Sequence, residues 1–242
     1  MALTRRSLLI GLLAGPSLAA AKGAGAIWSY EDPDRWARDP AAEACAAGAE
    51  QSPIDLAGAV KADIQAPVVS WKPQAFEIVN DGHMIRAKAA PGGHAAVGTR
   101  KFALQEILFH TPSEHAIEGQ RSAMEAQFLH AGENGEMLAI AVLMIAGGPN
   151  KAFSAIMDAA PKEEGEATAK APIDAAALLP KNRSFYRYKG SLTTPPCSEL
   201  VEWNVFATPV PVSPDDITAF EALYPMNARP LQPIHRRFVL RR

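Results

Sequence analysis

The chain has 242 residues, 48% of them hydrophobic and 21% charged, which suits one large soluble domain or two small ones. The formal net charge is -2 and the aromatic residues do not interleave with basic ones, so a nucleic-acid surface is excluded. Beyond the N-terminus no run of about 18 apolar residues occurs, which excludes a spanning helix there.

The first segment reads MALTRRSLLIGLLAGPSLAAA. Arg5 and Arg6 precede the apolar run Leu8–Ala14, Pro16 breaks it, and the small residues Ala19–Ala21 follow. This order predicts a secretory signal over residues 1–21, and TRRSLL resembles a twin-arginine signal. An amphipathic N-terminal helix is the alternative. The folded domain is expected over 22–242, in a soluble protein exported to the periplasm or another extracytoplasmic space. Export also governs the two cysteines, Cys45 and Cys197, which sit in no CxxC and beside no histidine cluster. In an oxidising compartment they are expected to form a structural disulfide; a redox or metal role is the alternative.

Twenty prolines and 17 glycines disfavour long helices. Ala75–Val79 and Met84–Lys88 are short strand candidates on either side of NDGH, where Asp81-Gly82 signals a hairpin turn. Lys101–Phe109 is apolar on both faces at Ile107, Leu108 and Phe109, as a covered central strand would be. Ser122–His130 alternates, with Met124, Ala126, Phe128 and His130 on one face and Glu125, Gln127 and Leu129 on the other. Met137–Ala146 and Val201–Phe206 are further strands. Ala160–Ala171, charged and short of large apolar groups, is expected to be a solvated loop, and His94 after Pro91-Gly92-Gly93 a loop histidine. Ser213 and Pro214 open a helix over Ile217–Leu223. The basic end HRRFVLRR reads as a solvated edge or a locally paired strand rather than a partner-binding patch. No linker divides the chain, so one mainly β domain is expected.

No phosphate-cradling glycine loop and no GxSxG is present, and nothing arranges Ser, His and Asp as a triad. The informative stretches are Gln105–His115, QEILFHTPSEH, and Met124–His130, MEAQFLH. Each holds one polar residue, His110 and Gln127, where a strand could turn it inward.

These stretches occur with Trp28-Ser29-Tyr30, QSPIDL at 51–56, NDGH at 80–83, SLTTPPC at 191–197 and NARPLQ at 227–232. Together and in this order they resemble the alpha class of carbonic anhydrases over nearly all of residues 27–237. The resemblance implies a single domain around a large, twisted, mostly antiparallel central sheet with short helices outside. It implies an active-site cone with zinc at its floor, and a disulfide at the places of Cys45 and Cys197. His83 stands at the proton-shuttle position. Thr193 stands where a threonine orients zinc-bound hydroxide, Glu114 where an acid accepts that threonine's hydrogen bond, and Thr194 beside it in the pocket. Val142, Leu192 and Trp203 match the apolar pocket wall.

The family's first two metal ligands are histidines two residues apart on one strand, so that both point the same way. Here the first position is Leu108 and the second His110. The third ligand position, on the neighbouring strand, is Gln127. Catalytic zinc takes three protein ligands and an open position, for which carbonic anhydrases are themselves the standard example. One imidazole and one neutral amide are a poor set. Supporting positions change as well: Glu106 stands where the family has a glutamine that orients the first ligand, and with Leu108 there that role has no target. Glu125 matches the acid behind the third ligand and faces Gln127 instead. Blander readings exist for each residue: a satisfied core histidine at His110, structural histidines at His115 and His130, packing roles for Glu114 and Thr193, and a surface histidine at His83.

The expectation is therefore a carbonic-anhydrase-related protein that lacks ordinary zinc-dependent CO2 hydration and binds a small molecule or a protein in the retained pocket. No cofactor is expected, and zinc only if the site is rebuilt. One alternative is an active anhydrase with a rebuilt metal site. The other is a metal-free acid–base enzyme using Glu106, Glu114, His110 or His83.

Overall fold

Strand after strand of the sequence places apolar residues on both faces, and the result is one broad sheet sandwiched between two apolar cores. The structure is a computed structural model that describes residues 28–242. The predicted signal over 1–21 lies outside the described residues. In chain order the strands are β1 (Val60–Lys61), β2 (Val68–Ser70), β3 (Glu77–Asn80), β4 (Ile85–Lys88), β5 (His94–Val97), β6 (Arg100–His110), β7 (Ala116–Ile117), β8 (Gln120–Arg121), β9 (Met124–Ala131), β10 (Met137–Ala146), β11 (Gly165–Thr168), β12 (Phe185–Gly190), β13 (Val201–Val212) and β14 (Leu240–Arg241). The helices are short: α1 (Ala44–Ala47), α2 (Lys151–Ala159) and α3 (Pro214–Glu221). No helix among the described residues is long and apolar enough to cross a membrane.

Twelve strands form the main sheet in the order β1-β14-β12-β13-β10-β9-β6-β4-β3-β11, with β5 joined to β6 and β2 to β5. Only β1 with β14 and β10 with β13 pair in parallel. The period-two alternation of strands sends Ile107 and Phe109, Ala126 and Phe128, and Ile140 and Val142 into one core, which α2 and α3 close with Phe153, Ile156, Ile217 and Phe220. The opposite face carries Leu108, Leu129, Ala139, Ala141, Tyr188, Val201, Trp203 and Val205. Residues Tyr30, Trp36, Ile54 and Leu56 of the N-terminal segment cover that face.

Cys45 and Cys197 are disulfide-bonded with their Cα atoms 5.0 Å apart, which fixes the N-terminal cover to the loop before β13 across 152 residues. Ser213 caps α3, its hydroxyl accepting from the Asp215 N–H.

Two expectations fail, both at four-residue strands that carry no run of large apolar residues. Ala160–Ala171 is not wholly a loop: β11 runs through it and pairs with β3 at the sheet edge, mostly exposed. His94 is not in a loop but begins β5, paired with Ser70 on β2 and Ala103 on β6. Backbone pairing carries β11, which no apolar alternation marks, while β5 buries only the small pair Ala95 and Val97. The strand β12 and the helix α2 carried no assignment from sequence either.

Candidate active site

The register of the central strands lines up one row of side chains across the second face. Arg86 on β4 is opposite Leu108 on β6, Leu108 opposite Gln127 on β9, and Gln127 opposite Ala141 on β10. Glu106 and His110 flank Leu108 on the same face of β6, and His110 is opposite Glu125. The site is thus a patch of central sheet, held on both sides by packed cores.

Gln127 is buried, and its Nε2 donates to Glu114 Oε2 at 2.8 Å and to Glu125 Oε1 at 3.0 Å. Two carboxylates accept only, so they fix the amide with its nitrogen toward them. Glu114 is completed by the Arg229 backbone N–H, which donates to its Oε1 at 2.9 Å. Glu125 Oε2 accepts from the His115 N–H, and Glu125 Oε1 is 2.8 Å from His115 Nδ1. Burial alone would raise the Glu125 pKa, but His115, and then His110, hold it below the ordinary carboxylate range. From His115 Nε2 the chain of hydrogen bonds runs on to Tyr188 at 2.7 Å and from the Tyr188 hydroxyl to Ser52 at 2.9 Å.

His110 is fully buried, with Nδ1 2.8 Å from the Asn227 carbonyl oxygen. Its Nε2 has no hydrogen-bond partner and lies 3.7 Å from Glu114 Oε2. Asn227 also clasps the ends of two strands, its amide nitrogen donating to the carbonyls of Phe109 and His83. His83 stacks on Trp28 with ring centroids 4.0 Å apart, and its Nε2 is 3.0 Å from the Trp28 carbonyl oxygen.

Glu106, which has no ligand to orient at Leu108, is paired with Arg86. Arg86 donates to its Oε2 through Nε at 2.9 Å and Nη2 at 2.6 Å, and reaches Asp81 Oδ2 at 3.4 Å. Burial alone would lower the Arg86 pKa; Glu106, followed by Asp81, raises it overall. Asp81 is itself fixed by the NDGH turn, where its Oδ1 accepts from the His83 and Met84 N–H groups and Gly82 takes a φ of +85°.

Trp203 lies on the site's face and donates from Nε1 to the Ser191 carbonyl at 3.0 Å, and Leu192 packs against the same core. Val142 does not: it points into the opposite core, because it sits one residue out of phase with Ala141 and Leu143, which face the site. Thr193 is buried and Thr194 half-buried, the Thr194 carbonyl accepting from the Cys197 N–H. No hydrogen bond joins Thr193 to Glu114 among the described residues; Gln127 and Arg229 take the Glu114 oxygens instead. A surface groove of about 640 Å³ between Ala49–Glu50, Lys189 and residues 235–238 includes none of these residues.

Three comparisons place the chain among known proteins. The family model described as eukaryotic-type carbonic anhydrase matches residues 31–242. The chain belongs to the carbonic anhydrase family. A carbonic anhydrase of Neisseria gonorrhoeae is 36% identical over 228 residues, covering 92% of this chain and 90% of the relative. The alpha-carbonic anhydrase of Thermovibrio ammonificans, solved with the inhibitor sulfanilamide, superposes with a TM-score of 0.86 at 38% identity, covering 90% of this chain and all of that one. Dioscorin, solved with ascorbate, superposes with a TM-score of 0.80 at 29% identity, covering 86% of this chain and 92% of dioscorin.

The family implies zinc, and the donor set does not fit it. Among the described residues no group of three His, Cys, Asp or Glu side chains is arranged to hold a metal ion. Leu108 offers only hydrocarbon, and the Gln127 amide nitrogen occupies the inner side of Glu114 and Glu125. His110 Nε2 is the one imidazole nitrogen on this face that is buried and free. Among the described residues the carbonic anhydrase fold is present without a zinc-ligand set.

The residues that sequence reasoning missed are Arg86, Asn227, Arg229 and Tyr188. An arginine inside the otherwise apolar strand candidate MIRAK was a signal for the first. Arg229 was inside the NARPLQ motif, and the structure shows why: its guanidinium is buried, donating to Gln51 Oε1 and to the carbonyls of Ser52 and Cys45.

Proposed function

We propose that this chain is an exported, carbonic-anhydrase-related binding protein that does not hydrate CO2 through zinc. The observation that carries the reading is the double commitment of Gln127, whose amide nitrogen bridges Glu114 and Glu125 at 2.8 and 3.0 Å where a third imidazole ligand would stand. Gln127 is the donor that Glu114 Oε2 has and a second donor for Glu125 Oε1, which His115 also reaches, so the glutamine is built into its surroundings. Leu108 is supported in the same way by Arg86, which holds Glu106 away from any orienting task.

Without an ion, no group at this position generates hydroxide at neutral pH, and His83 has no metal-bound water to serve. What remains is a patch of Arg86, Glu106, Leu108, His110 and Gln127 on one face of the sheet. A small-molecule ligand in the old cone suits that patch, with Thr193, Thr194, Leu192 and Trp203 as its further contacts. Dioscorin, similar in fold and complexed with ascorbate, supports small-molecule binding as a use of this architecture. The TRRSLL start and the Cys45–Cys197 disulfide support export to an oxidising compartment.

The test is zinc content and CO2 hydration of the untagged mature protein. The reading expects zinc to leave for a chelator and hydration to stay at background.

A further inference from the structure

The proton on His110 is placed by its neighbour. Nδ1 lies 2.8 Å from the Asn227 carbonyl oxygen, which can only accept, so Nδ1 carries the hydrogen. In the neutral ring Nε2 is then a lone-pair acceptor. It is buried and without a partner. Across from it, at 3.7 Å, stands Glu114 Oε2, another acceptor. That separation is too long for a direct hydrogen bond, and an oxygen carrying hydrogens can bridge it.

The charges nearby set the sign of what fits. Glu114 and Glu125 are fully buried on this face. The guanidinium of Arg86 is committed to Glu106 and Asp81, and that of Arg229 to Gln51 and the carbonyls of Ser52 and Cys45. A metal ion at this place would attract small anions; two carboxylates and an imidazole lone pair repel them.

We propose that the gap between His110 Nε2 and Glu114 Oε2 binds a neutral hydroxyl donor, either water or the hydroxyl group of a small ligand, and rejects small anions. This deepens the metal-free binding reading above and rests on it. The hydroxyl donates to His110 Nε2 or to Glu114 Oε2, and a water donates to both. With Leu108 and Gln127 in place of two histidine ligands, the floor has the reverse polarity of a zinc site: it donates electron pairs instead of accepting them.

The test is nitrogen NMR of the unaltered full-length mature protein, 15N-labelled and held in excess chelator, with long-range proton–nitrogen correlations of the His110 ring. Expected are a protonated Nδ1 and an unprotonated Nε2 whose shift is displaced in the direction of an accepted hydrogen bond. Azide, the anionic probe, should leave that shift in place. Phenol, the neutral probe, separates the two sources: a saturable Nε2 shift assigns the donor to a ligand hydroxyl, and no shift assigns it to water. A proton on Nε2 overturns the proposal. So does a free, unbonded lone pair that phenol leaves unchanged, or a saturable response to azide. Zinc and hydration are read on a separate sample before chelation, so retention of zinc there defeats the function without deciding the polarity of the chelated floor.

Discussion

Leu108 and Gln127 lie opposite each other on adjacent strands, and Gln127 turns its amide nitrogen toward Glu114 and Glu125. On the reading proposed above the pair stands at two ligand positions of a carbonic anhydrase, and Gln127 commits its amide to hydrogen bonds with protein carboxylates. Zinc would draw charge from several strands to one ion; here the strands are joined by a buried amide and an arginine.

Replacing Gln127→Leu should destabilise the fold by about 2–4 kcal/mol, because two buried carboxylate oxygens lose a donor. Urea unfolding at neutral pH reads this. A loss under about 0.5 kcal/mol would mean that the Glu114–Gln127–Glu125 bridge contributes little.

The Arg86–Glu106 pair should be coupled. Both side chains are largely buried, 25% and 15% exposed, and share two hydrogen bonds. Arg86→Met alone should cost about 1–3 kcal/mol, and Arg86→Met with Glu106→Gln should cost less than the two single changes added together. Strict additivity in a double-mutant cycle would count against the pair.

Stability should fall in mild acid through His130. Burial pushes its pKa from 6.5 to about 4, so the unfolded chain binds a proton there before the folded one does. The contribution is complete above pH 6.5 and is lost as pH falls toward about 4, on the order of 3 kcal/mol at most. Glu125, whose folded pKa is depressed, adds a loss at lower pH. Denaturation curves across this window should be steeper in pH for the native chain than for His130→Gln; equal slopes would remove His130 as the cause.

The fold was legible in part. Strands that bury side chains on both faces, such as Met137–Ala146, announce themselves by continuous apolar runs, whereas β11 rests on backbone pairing at mostly exposed positions and β5 buries only Ala95 and Val97, too short a signal after Pro91-Gly92-Gly93. At the site, Leu108, His110 and Gln127 could be named from the resemblance of FHTPSEH and MEAQFLH to the family's ligand segments. Glu125 could also be named as a partner of Gln127, but the other partners could not. Arg86 meets Glu106 only through the register of β4 on β6, and Asn227 reaches His110 across 117 residues. Val142 shows the same limit, since the phase of β10 against β9 decides its face.

Leu108→His with Gln127→His should restore zinc binding and measurable CO2 hydration, with either change alone giving little. The two imidazoles would share a face with His110, and Glu125 stands beside position 127. Arg86 holds Glu106, so the imidazole at 108 lacks its usual support, and recovery should be partial. Metal analysis and hydration rates of all three variants check this. Full activity from one substitution would contradict the geometry.

The most direct measurement is a zinc competition titration of the unaltered mature chain, followed by its CO2 hydration rate with zinc supplied. One imidazole and a committed amide predict that zinc passes to the chelator and that hydration equals the uncatalysed rate. Stoichiometric zinc held against the chelator, with hydration above background, would contradict the account and establish a metal site made from other residues.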